Sequence, residues 1–205
     1  MAGLIGVFGG TFDPPHLGHL ILADEASAAL DLQKVLWVVT GVPPHKPVPP
    51  RASVDDRLEM VSAAIASAPG FEISRADVDR PPPHYALGTL AWLSERQPSG
   101  RWAYLIGSDS LADLPGWHRA MDFLAALEVL GVMMRPGQSL DLSALEERLP
   151  GLQRKCRVFE APLVGISARD IRRRIEAGSP FRYLVPPGVP EVIHRHRLYA
   201  GMPPA

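Results

Sequence analysis

Six short apolar runs punctuate this chain, at Leu4–Phe8, Lys34–Thr40, Phe71–Ser74, Trp102–Ile106, Val129–Met133 and Arg157–Phe159. Most are continuous rather than alternating, the texture of strands buried on both faces of a parallel sheet. Helical patterns lie between them. Leu58, Val61 and Ile65 recur at helical spacing behind a capping pair, Ser53 and Asp56. Leu87, Leu90 and Ala91 recur likewise, and Ile171 and Ile175 follow a second pair, Ser167 and Asp170. Strand–helix–strand alternation implies an α/β fold, a doubly wound parallel sheet. With 205 residues, no internal repeat and no long linker, one domain is expected. The proline-rich stretches at 42–50, 81–83 and 186–190 read as ordered loops between elements.

Composition narrows the function classes. The formal net charge of −1 argues against a polybasic nucleic-acid binder. A single cysteine, Cys156, excludes an intramolecular disulfide and any multi-cysteine zinc site. It is expected in the core, in a chain suited to a reducing cytosol. No 18-residue apolar run occurs and the apolar start lacks a basic leader, so neither a signal peptide nor a membrane span is expected.

In doubly wound sheets ligands bind beyond the carboxyl ends of the strands. The loops to search are therefore 9–16, 41–52, 75–83, 107–118 and 134–140. The first carries Gly9-Gly-Thr-Phe-Asp-Pro-Pro-His16-Leu-Gly-His19. Gly9 and Gly10 let backbone approach a ligand with no Cβ in the way. A helix is expected from about Leu17, whose free N–H groups and positive dipole end suit an anion. His16 and His19, three apart, place both imidazoles on one side of its first turn. The run is neither a P-loop nor G-x-G-x-x-G, and H-E-x-x-H is absent, so phosphate rather than zinc is the expected ligand. Downstream, Gly165-Ile-Ser167-Ala-Arg169-Asp-Ile-Arg172 makes a second helix start, with Ser167 as N-cap. Arg172, inside that helix, can reach back to a polyphosphate, whose oxygens an arginine fork grips. The His194-Arg-His196 pair has metal-like spacing but no partners in sequence, and reads as a solvated helix end.

Together the two motifs resemble the nucleotidylyltransferase superfamily, which pairs an H-x-G-H loop with an I-S-S-T-x-I-R helix. Here Ala168 replaces the second Ser and Arg169 replaces Thr. Over nearly the whole chain the resemblance is to the bacterial nicotinate-nucleotide adenylyltransferases. Further segments carry it: Val42-Pro-Pro-His45-Lys46, Arg57-Leu-Glu-Met60, Ile106-Gly-Ser-Asp109, Trp117 and Arg135-Pro-Gly137. One segment departs, since the family's Pro-Ser-Tyr-Thr-x-Asp-Thr-Leu stands here as Pro83-His-Tyr85-Ala-Leu-Gly-Thr89-Leu90.

The resemblance implies a Rossmann-like nucleotidylyltransferase domain spanning residues 1–205. It implies adenylyl transfer from ATP to nicotinate mononucleotide, releasing pyrophosphate in NAD biosynthesis. His16, His19, Lys46 and Arg172 would be catalytic. Gly9, Gly10, Thr11, Phe12, His16, His19, Gly107, Asp109, Ile166, Ser167 and Arg172 would line the ATP site. Thr11, His45, Lys46, Tyr85, Ala86, Trp117 and Arg135 would line the mononucleotide site. Lys46, one of only three lysines, offers a point charge for the mononucleotide phosphate. Alternatives stay open at several positions: Asp109 as helix N-cap or ribose ligand, Trp117 as core or ring stack, Arg135 as turn or contact. Mg²⁺ is expected with ATP, held through phosphates and water rather than by a protein metal site. Expected partners are the two small substrates, with no nucleic acid and no membrane, in the cytoplasm; a homo-oligomer is compatible with all of this. Rival functions are an adenylyl- or cytidylyltransferase with another acceptor, nicotinamide mononucleotide or phosphopantetheine, and a nucleotide sensor without turnover.

Overall fold

The structure is a computed structural model describing residues 3–42, 48–134, 141–162 and 164–201. Its strands are β1 (Leu4–Gly10), β2 (Leu32–Val39), β3 (Phe71–Ser74), β4 (Arg101–Gly107), β5 (Val129–Met134) and β6 (Cys156–Glu160). The helices among the described residues are α1 (Leu17–Ala29), α2 (Val54–Ile65), α3 (Ala86–Arg96), α4 (Ser108–Asp113), α5 (Ala120–Ala126), α6 (Leu142–Arg148), α7 (Leu152–Lys155), α8 (Ala168–Glu176) and α9 (Val189–Arg195). All strand pairings are parallel, in the order β3-β2-β1-β4-β5-β6. The chain winds outward from β1 to β3, then returns to the other side of β1 for β4. That reversal opens a crevice at the carboxyl ends of β1 and β4.

The continuous apolar runs explain themselves in the packing. Val35, Trp37 and Val39 of β2 face one layer, with Leu22 and Ala26 of α1, Met60 and Val61 of α2, Ile171 of α8 and Val192 of α9. Leu36 and Val38 face the other, with Leu90 of α3, Leu111 of α4, Phe123 of α5 and Leu152 of α7. Successive strand residues point to opposite faces, so a sheet covered on both sides needs apolar residues at every position. Cys156 is buried at the start of β6, and burial pushes its thiol pKa up.

Ser53 caps α2 and Ser167 caps α8, each oxygen accepting from the N–H three residues on. Two expectations need correction. The glycines at 9 and 10 are the end of β1 itself, paired with Val38 and Val39, and not the loop after it. The stretch 186–190 does not stay a loop: Val189 and Pro190 open α9, where a first-turn proline loses no hydrogen bond. The five short helices α4–α7 and α9 have too few turns to leave a periodic signature.

One buried charge ties the loop ends together. Arg57, 1% exposed, is the first fully buried residue of α2. Its Nε donates to the Ala52 carbonyl at 3.3 Å, Nη1 to Thr11 at 2.9 Å and Thr40 at 2.7 Å, and Nη2 to Gly41 at 3.1 Å. Burial pulls its pKa down, while Asp13 and Tyr199 oppose that. Arg57→Met keeps the length but strips these carbonyls of a donor. The expected loss is about 3–5 kcal/mol, read from the midpoint of guanidinium unfolding. A change below 1 kcal/mol, on the order of a surface substitution, would mean that the carbonyls find other donors.

Candidate active site

The end of β1 fills its own glycine space. A Cβ on Gly9 would lie 2.6 Å from the Tyr104 hydroxyl, and one on Gly10 2.7 Å from the Phe12 ring. Both glycines are therefore required by protein packing, a stronger reason than ligand access. Phe12 adopts a left-handed φ of 50°, unfavourable for a bulky residue. Its ring is anchored in the core, with centroids 5.4 Å from Phe8 and 5.1 Å from Trp37 and His19. What Phe12 can offer a nucleotide is its main chain, because its ring is committed to the core.

His16 is the N-cap of α1 and His19 its third residue. Their rings stack with centroids 3.7 Å apart. The His16 main-chain N–H donates to His19 Nδ1 at 3.1 Å, which places the neutral His19 ring proton on Nε2. His16 behaves differently. Its Nδ1 is buried without a hydrogen-bond partner among the described residues, and burial pushes its pKa down to about 4. Gly18 keeps that geometry possible, because a Cβ there would sit 3.2 Å from His16 Nδ1. The pair is one aimed donor and one neutral ring stacked on it, not two equivalent cations.

Arg172 does reach back across the sheet, and its anchor is protein. Nη1 donates to the Asp13 carbonyl at 2.6 Å and lies 3.7 Å from the Asp13 carboxylate, joining motifs 159 residues apart. The Asp13 carboxylate, buried, also accepts the N–H groups of Arg51 at 2.9 Å and Ala52 at 3.1 Å. Arg51, in the loop before α2, and Glu176 of α8 form a second ion pair, tying that loop to the same helix. The Ser167 hydroxyl is spent within α8, accepting from Asp170 N–H and donating to its carboxylate at 2.9 Å. What this helix start offers an anion is main-chain N–H. Ile166 packs against the core, and Arg169 is exposed. Gly107 is the N-cap of α4 and Asp109 stands inside its first turn, so the N-cap alternative for Asp109 falls.

On the other side of the crevice Tyr85 is the N-cap of α3, with no side chain capping the helix start, and Ala86 is its first residue. The Tyr85 ring stacks on His118 at 4.2 Å. Trp117 packs edgewise against Tyr104 and tilts against Phe123, half-buried. The departing loop residues turn inward. His84 Nδ1 accepts from Val42 N–H at 2.9 Å and Nε2 donates to the Arg80 carbonyl at 3.1 Å. Arg80 pairs with the buried Asp77 at 2.9 Å and donates to the carbonyls of Pro83 and Tyr85. Gly88 leaves room for that guanidinium, since a Cβ there would lie 3.1 Å from Arg80 Nη1. His45, Lys46 and Arg135 lie outside the described residues.

Residues 7–174 match the family model described as Cytidylyltransferase-like. The chain belongs to that family. A curated protein of Thermomicrobium roseum, named "Probable nicotinate-nucleotide adenylyltransferase", is 43% identical over 195 residues, covering 95% of this chain and 91% of that one. One of the same name from Gloeobacter violaceus is 40% identical, covering 97% of each. Among solved structures, the nicotinic acid mononucleotide adenylyltransferase of Plasmodium falciparum complexed with NaAD superposes with a TM-score of 0.77. It covers 97% of this chain and 98% of its own at 18% identity, a likeness of fold.

Within this cytidylyltransferase-like site, Asp13, Arg51, Arg80 and Tyr199 escape the sequence argument. Arg57 is noted there only as part of a family segment. One signal was present: Arg57 stands at helical spacing with Met60, Val61 and Ala64, on the face that α2 buries.

The neutral state of His16 carries a pH consequence. The unfolded chain binds a proton at this ring near the ordinary value of 6.5, and the folded chain only near 4. The associated stability is complete above pH 6.5 and is lost as pH falls toward 4, by up to about 3 kcal/mol. Urea unfolding of wild type and His16→Gln at pH 7 and pH 4.5 measures it. The variant is expected to show the smaller acid loss, and equal losses would place a titrating His16 in solvent.

Proposed function

We propose that this chain transfers the adenylyl group of ATP to nicotinate mononucleotide, giving deamido-NAD and pyrophosphate. The observation that carries it is His19, its Nε2–H set by the main chain of His16, on a loop that Asp13 joins to Arg172 of α8. The names borne by relatives at about 40% identity support the same reaction. A mononucleotide phosphate oxygen attacks the α-phosphorus of ATP in line. The α-phosphorus–oxygen bond to the β-phosphate breaks, and pyrophosphate leaves with that electron pair. The attacking phosphate is already ionised, so no general base is needed, and catalysis consists of positioning and charge stabilisation.

His19 donates through Nε2 to the α-phosphate oxygens as charge shifts onto the leaving group. The N–H groups at the starts of α1 and α8 take the phosphate chain, with Arg172 beside them. Lys46 orients the attacking phosphate. Gly107 and Asp109, at the end of β4, hold the adenosine side. The unprotected N–H groups at the start of α3, around Tyr85 and Ala86, take the nicotinate carboxylate, with Trp117 flanking the ring. Among the described residues no group of His, Cys, Asp and Glu is placed to hold a metal ion. The Asp13 carboxylate, close to the loop, already accepts three donors. Mg²⁺ fits as an ion carried by the nucleotide, neutralising phosphate charge while its other ligands are water. No described helix is long and apolar enough to cross a membrane. We read residues 1–205 as one nucleotidylyltransferase domain acting in the cytoplasm.

Pyrophosphate release from ATP and Mg²⁺ with a panel of acceptors tests the reading. Nicotinate mononucleotide is expected to exceed nicotinamide mononucleotide by tenfold to a hundredfold in kcat/KM. Fixed N–H donors favour a carboxylate, and the amide's own donor would leave groups unpaired at about 1–3 kcal/mol each. Turnover of phosphopantetheine alone would reassign the acceptor. His19→Ala is expected to lower kcat by about 10²–10³ with folding intact, the usual loss for one donor to developing charge. An unchanged kcat in the folded variant would remove His19 from the mechanism.

A further inference from the structure

We infer that Tyr199 is a positioning residue of the ATP site, setting the His16–His19 loop and Arg172 through the carboxylate of Asp13. The inference rests on the proposed adenylyl transfer. After α9 the chain turns back on itself, with Arg197 and Tyr199 both held in left-handed backbone at φ 52° and 66°. A bulky non-glycine residue adopts that conformation only where its surroundings fix it. Tyr199 is 1% exposed, and its hydroxyl donates to Asp13 Oδ1 at 2.9 Å, across 186 residues of sequence. The hydroxyl also lies 3.9 Å from the Met60 sulfur. The segment is pinned on its outer side as well. The His196 ring lies between Asp56 and Glu59 of α2, at 2.9 and 3.0 Å, and Arg195 pairs with Glu59.

Phenylalanine would fill the same core volume but leave the Asp13 carboxylate without this donor. Here the hydroxyl completes a carboxylate whose other donors are the main-chain N–H groups of Arg51 and Ala52. Burial and the neighbouring carboxylate push the phenol pKa well up, so it stays a donor at every working pH. Arg172 divides its attention at the same residue: Nη1 is 2.6 Å from the Asp13 carbonyl and 3.7 Å from the carboxylate. Removing the hydroxyl leaves that carboxylate short of a donor. Arg172 then swings from the carbonyl toward it, and the loop that ends in His16 and His19 loses its anchor.

Tyr199→Phe tests this, keeping the core volume. The variant is expected to fold, with kcat/KM for ATP reduced roughly tenfold or more and the KM for nicotinate mononucleotide within twofold. Calorimetric titration with ATP and Mg²⁺, no acceptor present, is expected to show a matching loss of affinity. The cycle with Asp13→Asn gives the route: the double variant is expected to lose little beyond Asp13→Asn alone. Unchanged ATP parameters, equal losses on both substrates, multiplicative losses in the cycle, or a variant that fails to fold would each overturn the inference. The adenylyl-transfer reading fails separately, if the wild-type chain binds ATP and releases no pyrophosphate with nicotinate mononucleotide.

Discussion

Where parallel strands stop, their last carbonyls need donors that water cannot supply. At the ends of β1 and β2 this chain meets the need with a single guanidinium. Arg57 reaches the carbonyls of Thr11, Thr40, Gly41 and Ala52 from a helix on the far side of two loops. A buried charge of this kind is costly alone and tolerable only when its N–H groups are used and an opposite charge is near. Asp13 supplies the latter and is itself saturated by main-chain N–H, Tyr199 and Arg172. The loop between β1 and α1 therefore has its shape dictated from behind, before any ligand arrives. His16 and His19 stand at the front of a piece of backbone that cannot drift.

Much of the fold was legible because its signal is local. Continuous apolar runs located all six strands to within one or two residues at most ends, and two serine caps located the starts of α2 and α8. Strand order, and with it the switch point between β1 and β4, comes from the structure. What escaped was non-local. Asp13 reads in sequence as a turn residue before proline, and Tyr199 as one aromatic near a chain end; their hydrogen bond spans 186 residues. No spacing rule connects them. Arg57 is intermediate: its position on the inner face of α2 was visible, but an arginine on an apolar stripe is ambiguous until its acceptors are placed. Gly9 and Gly10 stand out in sequence as a bare backbone stretch; that Tyr104 and Phe12 leave no room for a Cβ at either shows only in the packing.

The two sides of the crevice use the same device. On one side Arg57 and Asp13 brace the loop after β1. On the other Arg80 and Asp77 brace the loop before α3, with Thr89 donating to Asp77 at 2.7 Å. Each pair converts carbonyls that would otherwise point into the protein unpaired into a fixed platform. Each leaves the helix start beyond it, α1 or α3, with N–H groups facing the crevice end of the sheet. A chain with almost no net charge thus concentrates buried charge at its carboxyl edge.

This shared device explains how the loop before α3 departs from its family pattern while keeping its form. Where the pattern has a carboxylate at position 88, this chain has glycine, and the Arg80 guanidinium lies over the vacant Cβ position. Asp77 provides the carboxylate from a different segment. Where the pattern has a hydroxyl at position 84, His84 uses both ring nitrogens internally, tying Val42 to the Arg80 carbonyl. The substitutions at 84 and 88 are then parts of one rearrangement around Arg80: His84 spends both ring nitrogens inside the protein, and Gly88 has no side chain to offer. What the rearrangement leaves at the crevice is the uncapped start of α3 and the aromatic surface of Tyr85 stacked on His118. A loop can lose its family's polar side chains and keep a fixed backbone, provided that the backbone is held by something else, here Arg80, Asp77 and His84.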